Sequence, residues 1–389
     1  MADNNWRHPS NTGVAQVWQG TVASNTNTHT FILTVTADDG TTAVISTTAN
    51  GTLTATQLAE ALVAAWNAST DPLITPITAQ NTGAVLTLTA DTAGVPFSVA
   101  ATGTGTWSTT GNTTANVGNN DYSTAANWQL NAIPVATNDV IIGVGTVDIL
   151  YGLNQSAVAL ADFRVEKGCK SKIGQFANGL AYYLRIDPDL VKIEYSGQRA
   201  LFDIGGAAIS PYIWCDGSPE LTGRYVVYIK GSAIATLEIG KGTVAVAPFE
   251  ADSATITTLR IGYDSTQSSD VNVLIGRNVT LTTLDMAGGI AKALCAFTTG
   301  NVLAGATLTT EGTGAITTLN AYGTVYPNSS GTIGTLNAYG VVDFTKDRRP
   351  RTVSTLVLFP GCTVRYHGNI TFSAITQLAG PGTVTLIRV

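Results

Sequence analysis

Six short stretches of this chain carry Thr-Leu at the same point of a strand-like pattern: Thr236-Leu237-Glu238-Ile239, Thr258-Leu259-Arg260-Ile261, Thr283-Leu284-Asp285-Met286, Thr318-Leu319-Asn320-Ala321, Thr335-Leu336-Asn337-Ala338 and Thr355-Leu356-Val357-Leu358. Their leucines are 22, 25, 35, 17 and 20 residues apart; Leu303 divides the interval of 35, and Leu378 follows Leu356 after another 22. Short strands and Gly turns repeating every 16 to 25 residues are the mark of a solenoid whose rungs are strands. Leucine-rich repeats need a regular Asn and a helical return stretch, and this chain has neither. The expected fold is therefore mainly β, with a parallel β-helix over 139–389. Segments 160–165, 184–186, 191–195, 201–204 and 225–230 fit the pattern less regularly and supply its first rungs. On the order of ten rungs at this repeat length, stacked about 4.8 Å apart, make a rod roughly 50 Å long.

Strand alternation points each repeat Leu inward and the next residue outward. The outward column reads Glu238, Arg260, Asp285, Asn320, Asn337 and Val357. Opposite charges on adjacent rungs can pair, and Asn320 and Asn337 can form an amide ladder. Tyr322 and Tyr339 start a second column where earlier rungs carry Gly240 and Gly262. These four residues, Tyr322, Tyr339, Asn320 and Asn337, are candidate glycan contacts. The plainer reading, a solvated face with cross-strand pairs and stacked rings, is favoured.

Residues before the solenoid follow different rules. Period-two runs at 17–22, 29–36, 42–48, 85–89 and 97–102 set Thr on one face, and Leu58, Leu62, Ala65 and Trp66 form a helical stripe that Thr54 or Thr56 can cap. This predicts a small α+β domain over 14–118, its helix packed on an antiparallel sheet. Segment 103–120, almost wholly Gly, Thr, Asn and Ser around Trp107, reads as a strand edge or linker, and 119–138 as a linker or lead-in to the solenoid. Residues 1–13 read as an arm on which Trp6 and Arg7 are exposed for a partner.

Composition narrows the function. Charged residues make up 12% of the chain, hydrophobic residues 44%, and 60 Thr accompany 40 Gly; such a chain folds through strands and turns. A net charge of −6 gives no basic footprint for nucleic acid. The polar start has no apolar core of a secretion signal, and no stretch is long and apolar enough for membrane insertion. Cys169, Cys215, Cys295 and Cys362 are spaced too widely for a disulfide framework or paired zinc ligands and read as buried thiols. His8, His29 and His367 lie too far apart in sequence to suggest a metal site or triad. The acids Asp187 and Asp189, Asp216 and Glu220, and Glu250 and Asp252 sit in turn-like contexts. No catalytic, cofactor or metal residue is assigned. One dense basic cluster, Lys346, Arg348, Arg349 and Arg351, interrupts the solenoid between two good rungs. It must bulge as a loop, either solvated or docked on an acidic partner.

Helix 56–66, Ile77-Thr78-Ala79 and the run from Val85 to Phe97 resemble small β-rich modules of bacteriophage virion proteins. The run from Asn127-Trp128 through Pro134 to Asp139 looks like the lead-in to β-helices of phage and large surface proteins. The resemblance implies a non-enzymatic virion structural protein, a capsid decoration or fibre-like appendage, which folds in the host cytoplasm, forms a homotrimer and binds other capsid or tail proteins. The alternative is a tailspike-like carbohydrate-binding or glycan-cleaving protein. A cellular surface adhesin is disfavoured by the polar start.

Overall fold

The computed structural model describes residues 3–7, 12–24, 28–37, 41–177, 180–206, 208–220, 224–263 and 270–389; His8 lies outside them. The chain is mainly β, with thirty strands and one α-helix among the described residues.

The helix, Ala55–Asn67, begins where the sequence offers a cap. Thr54 Oγ1 accepts from the Gln57 amide at 3.3 Å, and Gln57 Oε1 accepts from the Thr54 amide at 2.9 Å. This reciprocal pair satisfies donors that the first turn leaves open. Leu58, Leu62 and Trp66 are buried along one face, and Trp66 Nε1 donates to the Ile77 carbonyl at 2.7 Å. The helix packs against strands of two antiparallel sheets rather than one. The first runs Ile77–Thr82, Val85–Ala90, Val17–Ser24, Thr106–Thr114; the second runs Thr42–Thr48, Thr30–Thr36, Ser98–Gly103. Thr106–Thr114 is a paired strand, so most of the Gly/Thr-rich segment belongs to the sheet and not to a linker.

Apart from one short antiparallel hairpin, Gln175–Ala177 with Leu180–Tyr182, the remaining strands form one long parallel sheet. In one ladder Ala254–Ile261 pairs with Val279–Met286, and the pairing continues through Phe297–Val302, Ile316–Ala321, Ile333–Ala338, Arg351–Leu358 and Ile370–Gln377. A second ladder runs from Val271–Ile275 through Ile290–Ala293, Thr307–Thr310, Thr324–Pro327, Val341–Asp343 and Thr363–Tyr366 to Thr385–Arg388. The chain alternates between the ladders, so each pass lies on the one before.

Register follows the repeat, with two exceptions. Leu237, Leu259, Leu284, Leu319, Leu336 and Leu356 occupy one buried column, but its member between Leu284 and Leu319 is Gly300, not Leu303. Three residues earlier, Phe297 stands in register with Leu281 and Ile316. A Cβ built on Gly300 would come within 2.7 Å of the Phe297 ring: the large ring fills the volume that a leucine would take, and close packing admits only glycine beside it. Leu303 is exposed instead. After Leu356 the register continues at Ile375, which is exposed, and not at Leu378.

The first strand is Asp3–Asn5, parallel to Asp139–Ile142, which pairs in turn with Asn154–Cys169. The expected arm is thus part of the long sheet over residues 3–5, with Trp6 bridged to Trp128, while 1, 2 and 8–11 lie outside the described residues. Nor is 119–138 a loose connection. Tyr122, Asn127 and Trp128 are fully buried, Asn127 Nδ2 donates to the Gly118 and Asp121 carbonyls at 2.8 Å, and Trp128 Nε1 donates to the Tyr122 carbonyl at 2.7 Å.

Candidate functional site

The outward columns bring the predicted surface residues together. Arg260 Nη1 donates to Glu238 Oε2 at 2.9 Å one pass below. Asn301 Nδ2 then donates to Asp285 Oδ1 at 2.6 Å, Asn320 to Asn301 at 2.7 Å and Asn337 to Asn320 at 2.7 Å. The ladder expected of Asn320 and Asn337 therefore has a third amide, Asn301, which the placement of the rung at Leu303 had hidden, and it ends on a carboxylate.

Tyr322 and Tyr339 stack at 4.0 Å between centroids with planes 13° apart, and Tyr339 stacks on Phe359 at 3.7 Å. Because Tyr322 and Phe359 lie on the passes to either side, both faces of Tyr339 are covered. A sugar ring cannot stack on it; the column offers ring edges. Leu303 and Leu378 extend this half-exposed strip one pass in each direction. A hydrogen bond with Tyr322 holds the Tyr339 hydroxyl above the usual phenol range.

The predicted partner anchors fare unequally. Trp6 is only 3% exposed and meets the edge of Trp128 at 5.1 Å, so it is a core residue and not an exposed anchor. Sequence placed it in polar surroundings; Trp128, 122 positions away, supplies the apolar contact. Arg7 stays at the surface but is bound, donating to Asn131 Oδ1 at 2.8 Å and to the Gln129 carbonyl at 2.6 Å. In the basic segment, Arg351 is buried and donates to the Asp347 carbonyl at 2.9 Å, and burial pulls its guanidinium below the usual arginine value. Arg349 is exposed yet held by Asp347 at 2.5 Å and by the Asn328 carbonyl at 2.6 Å. Lys346, exposed, has its ammonium 4.6 Å from the Tyr326 ring centroid, and Arg348 is exposed. The loop thus offers Lys346, Arg348 and Arg349 to solvent but not Arg351.

A further site lies where the sequence shows only scattered residues. The hairpin Gln175–Ala177 with Leu180–Tyr182 lifts Phe176 off the sheet. Its ring meets Tyr228 edge-on at 5.5 Å and Phe249 at 5.8 Å, while Tyr228 and Phe249 stack with planes 7° apart. Beside these rings Glu220 accepts from Lys172 Nζ at 2.6 Å and from Arg199 Nη1 at 2.9 Å. The Lys172 hydrogen bond, with the Arg199 charge added, outweighs burial and holds the Glu220 carboxyl below its usual range. Arg199 in turn covers the Phe176 ring at 5.2 Å. Phe176, Tyr228, Arg199 and Glu220, with Gln198, Arg224 and Tyr225, line a pocket of about 310 Å³. The sequence reading assigned Glu220 to turn chemistry; the aromatic density between 176 and 249 was the available signal, but it has no period.

Behind the pocket Tyr183 Oη donates to Asp252 Oδ2 at 2.5 Å, and Lys230 Nζ lies 3.6 Å from Asp252 and 3.9 Å from Asp203. Burial raises the Asp203 carboxyl against the opposing charges of Lys230 and Arg185. A second cleft, about 340 Å³, separates the N-terminal block from the long sheet, between Pro72, Pro76 and Phe97 on one side and Tyr151 and Tyr182 on the other. Among the described residues no three His, Cys, Asp or Glu side chains gather as metal ligands, and no helix is long and apolar enough to cross a membrane. Comparison with family models, with curated proteins and with solved structures finds no match for this chain.

Proposed function

We propose that the long sheet is a parallel β-helix and that the chain is a non-enzymatic structural protein of a phage particle, a capsid decoration or fibre-like appendage. The observation that carries this reading is the in-register stacking of successive passes. One interior column from Leu237 to Leu356 repeats on each pass, and one exterior amide ladder runs across the passes from Asp285 to Asn337. Such a stack makes a stiff body suited to spacing and display. The N-terminal block, with its own core, is the part that attaches to the capsid or tail, and the half-exposed strip at Tyr322 is the face that meets other copies in a homotrimer. A second reading, a tailspike-like carbohydrate-binding protein, is favoured by the pocket at Phe176.

Light scattering of the purified chain, followed by cryo-electron microscopy of particles made with and without it, tests the proposal. A trimer seated on capsid or tail supports it. A monomer absent from every particle overturns it.

A further inference from the structure

The pocket beside Phe176 joins an aromatic wall to a charged one, and we infer that it binds a saccharide unit carrying a carboxylate. This deepens the carbohydrate-binding reading and does not depend on how the chain is attached to a particle. Tyr228 and Phe176 line the aromatic side, with Tyr225 edge-on to Tyr228 at 6.4 Å. Such rings accept the C–H face of a pyranose without demanding hydrogen bonds from it. Tyr228 Oη accepts from the Tyr225 amide at 3.3 Å, which leaves its own proton to be donated.

Glu220 supplies the opposite polarity. Lys172 and Arg199 fix one carboxylate oxygen each, and each oxygen keeps a lone pair for a sugar hydroxyl. Because the carboxyl is held below its usual range, it is an acceptor at neutral pH. Arg199 is itself anchored: its amide donates to Tyr195 Oη at 3.2 Å, and Tyr195 Oη donates to the Ser171 or Arg199 carbonyl. The charged wall is therefore set before a ligand arrives, which reduces the ordering cost of binding.

Charge decides the class. Arg199 and Arg224 line the pocket against the single carboxylate of Glu220, which Lys172 also pairs from outside the lining, an excess that repels a cation and attracts an anion. Arg224 is exposed beside the pocket, where its guanidinium can take a carboxylate in bidentate fashion. The volume, about 310 Å³, lies at the lower end of small-molecule sites, which run from about 300 to 1,000 Å³.

The test is an array of uronate and sialic-acid oligosaccharides beside their methyl esters, probed with the full chain and followed by calorimetry on the best carboxylate. The expected result is saturable binding of a carboxylate form, with its ester at least about tenfold weaker. Phe176→Ala and Arg224→Ala should each weaken it by about tenfold or more, Arg224→Ala without changing the thermal midpoint because its side chain is exposed, and Phe176→Ala with the chain still folded by circular dichroism. Equal binding of acid and ester overturns the charge assignment, and silence across the array overturns the site. Binding that survives both variants removes this pocket while leaving the carbohydrate-binding reading in place.

Discussion

Trp6 and Trp128 meet edge to face, 5.1 Å between centroids and 76° between planes, and this contact joins the first strand of the long sheet to the segment that precedes the second. Removing the Trp6 side chain should cost about 3–5 kcal/mol, the range for large buried aromatics, and lower the urea midpoint accordingly. Trp6→Phe should cost much less, because the indole N–H is buried without a hydrogen-bond partner and its loss is a relief. A Trp6→Ala chain as stable as the wild type would mean that the N-terminal strand closes nothing.

Asn320 both gives and takes a ladder hydrogen bond, whereas Asn337 only gives one. At about 0.5–1.5 kcal/mol per bond, Asn320→Ala should destabilise by about 1–3 kcal/mol and Asn337→Ala by about half of that. Chemical denaturation of the two variants side by side gives the comparison. Equal effects would show that the amides act independently and not as a ladder.

The thiols of Cys215 and Cys295 are both pushed up to about 12 by burial. At pH 8 the thiolate fraction of each is then about one part in 10,000. Neither should react with Ellman's reagent in the folded chain, and all four cysteines should react in guanidinium. Rapid labelling of either residue without denaturant would contradict the packing described.

Glu220 sets an acid limit. Its folded value lies below the unfolded one, because Lys172 and Arg199 favour the carboxylate. The contribution to stability is therefore complete above the unfolded value of about 4.3 and is lost as pH falls through the folded value. Glu220→Gln should flatten the fall in stability below about pH 4.5, with the difference between variant and wild type shrinking toward the acid end. An acid limb of unchanged steepness in the variant would mean that the triad is too well solvated to matter.

What was legible in the sequence was whatever repeats at short range. Leu259, Leu284, Leu319 and Leu336 announce their column because each stands between two residues of opposite orientation, and the N-cap at Thr54 is written within four residues. Gly300 was not legible, because the reason for it is the Phe297 ring beside it, a compensation of volumes that no period encodes. Leu303 was misread for the same cause: it is apolar and near the right spacing, but it belongs to the outer strip with Tyr322. Trp6 and the pocket at Phe176 were missed because their partners lie tens to more than a hundred positions away and only stacking of the passes brings them together.

The pairing of Asp3–Asn5 with Asp139–Ile142 also orders events during synthesis. Elsewhere in the repeat each strand finds its neighbour soon after emerging, as Thr318 finds Thr335 after 17 residues, so the growing sheet can lengthen behind the ribosome. Among the described residues, Asp3–Asn5 has no such near neighbour in sequence. Asp3 must wait for Asp139, 136 residues later, while the N-terminal block between them already has the sequence it needs to fold. Residues 3–6 thus find their place only after the block that follows them, and until then the apolar ring of Trp6 is left for a chaperone or for another nascent chain to meet.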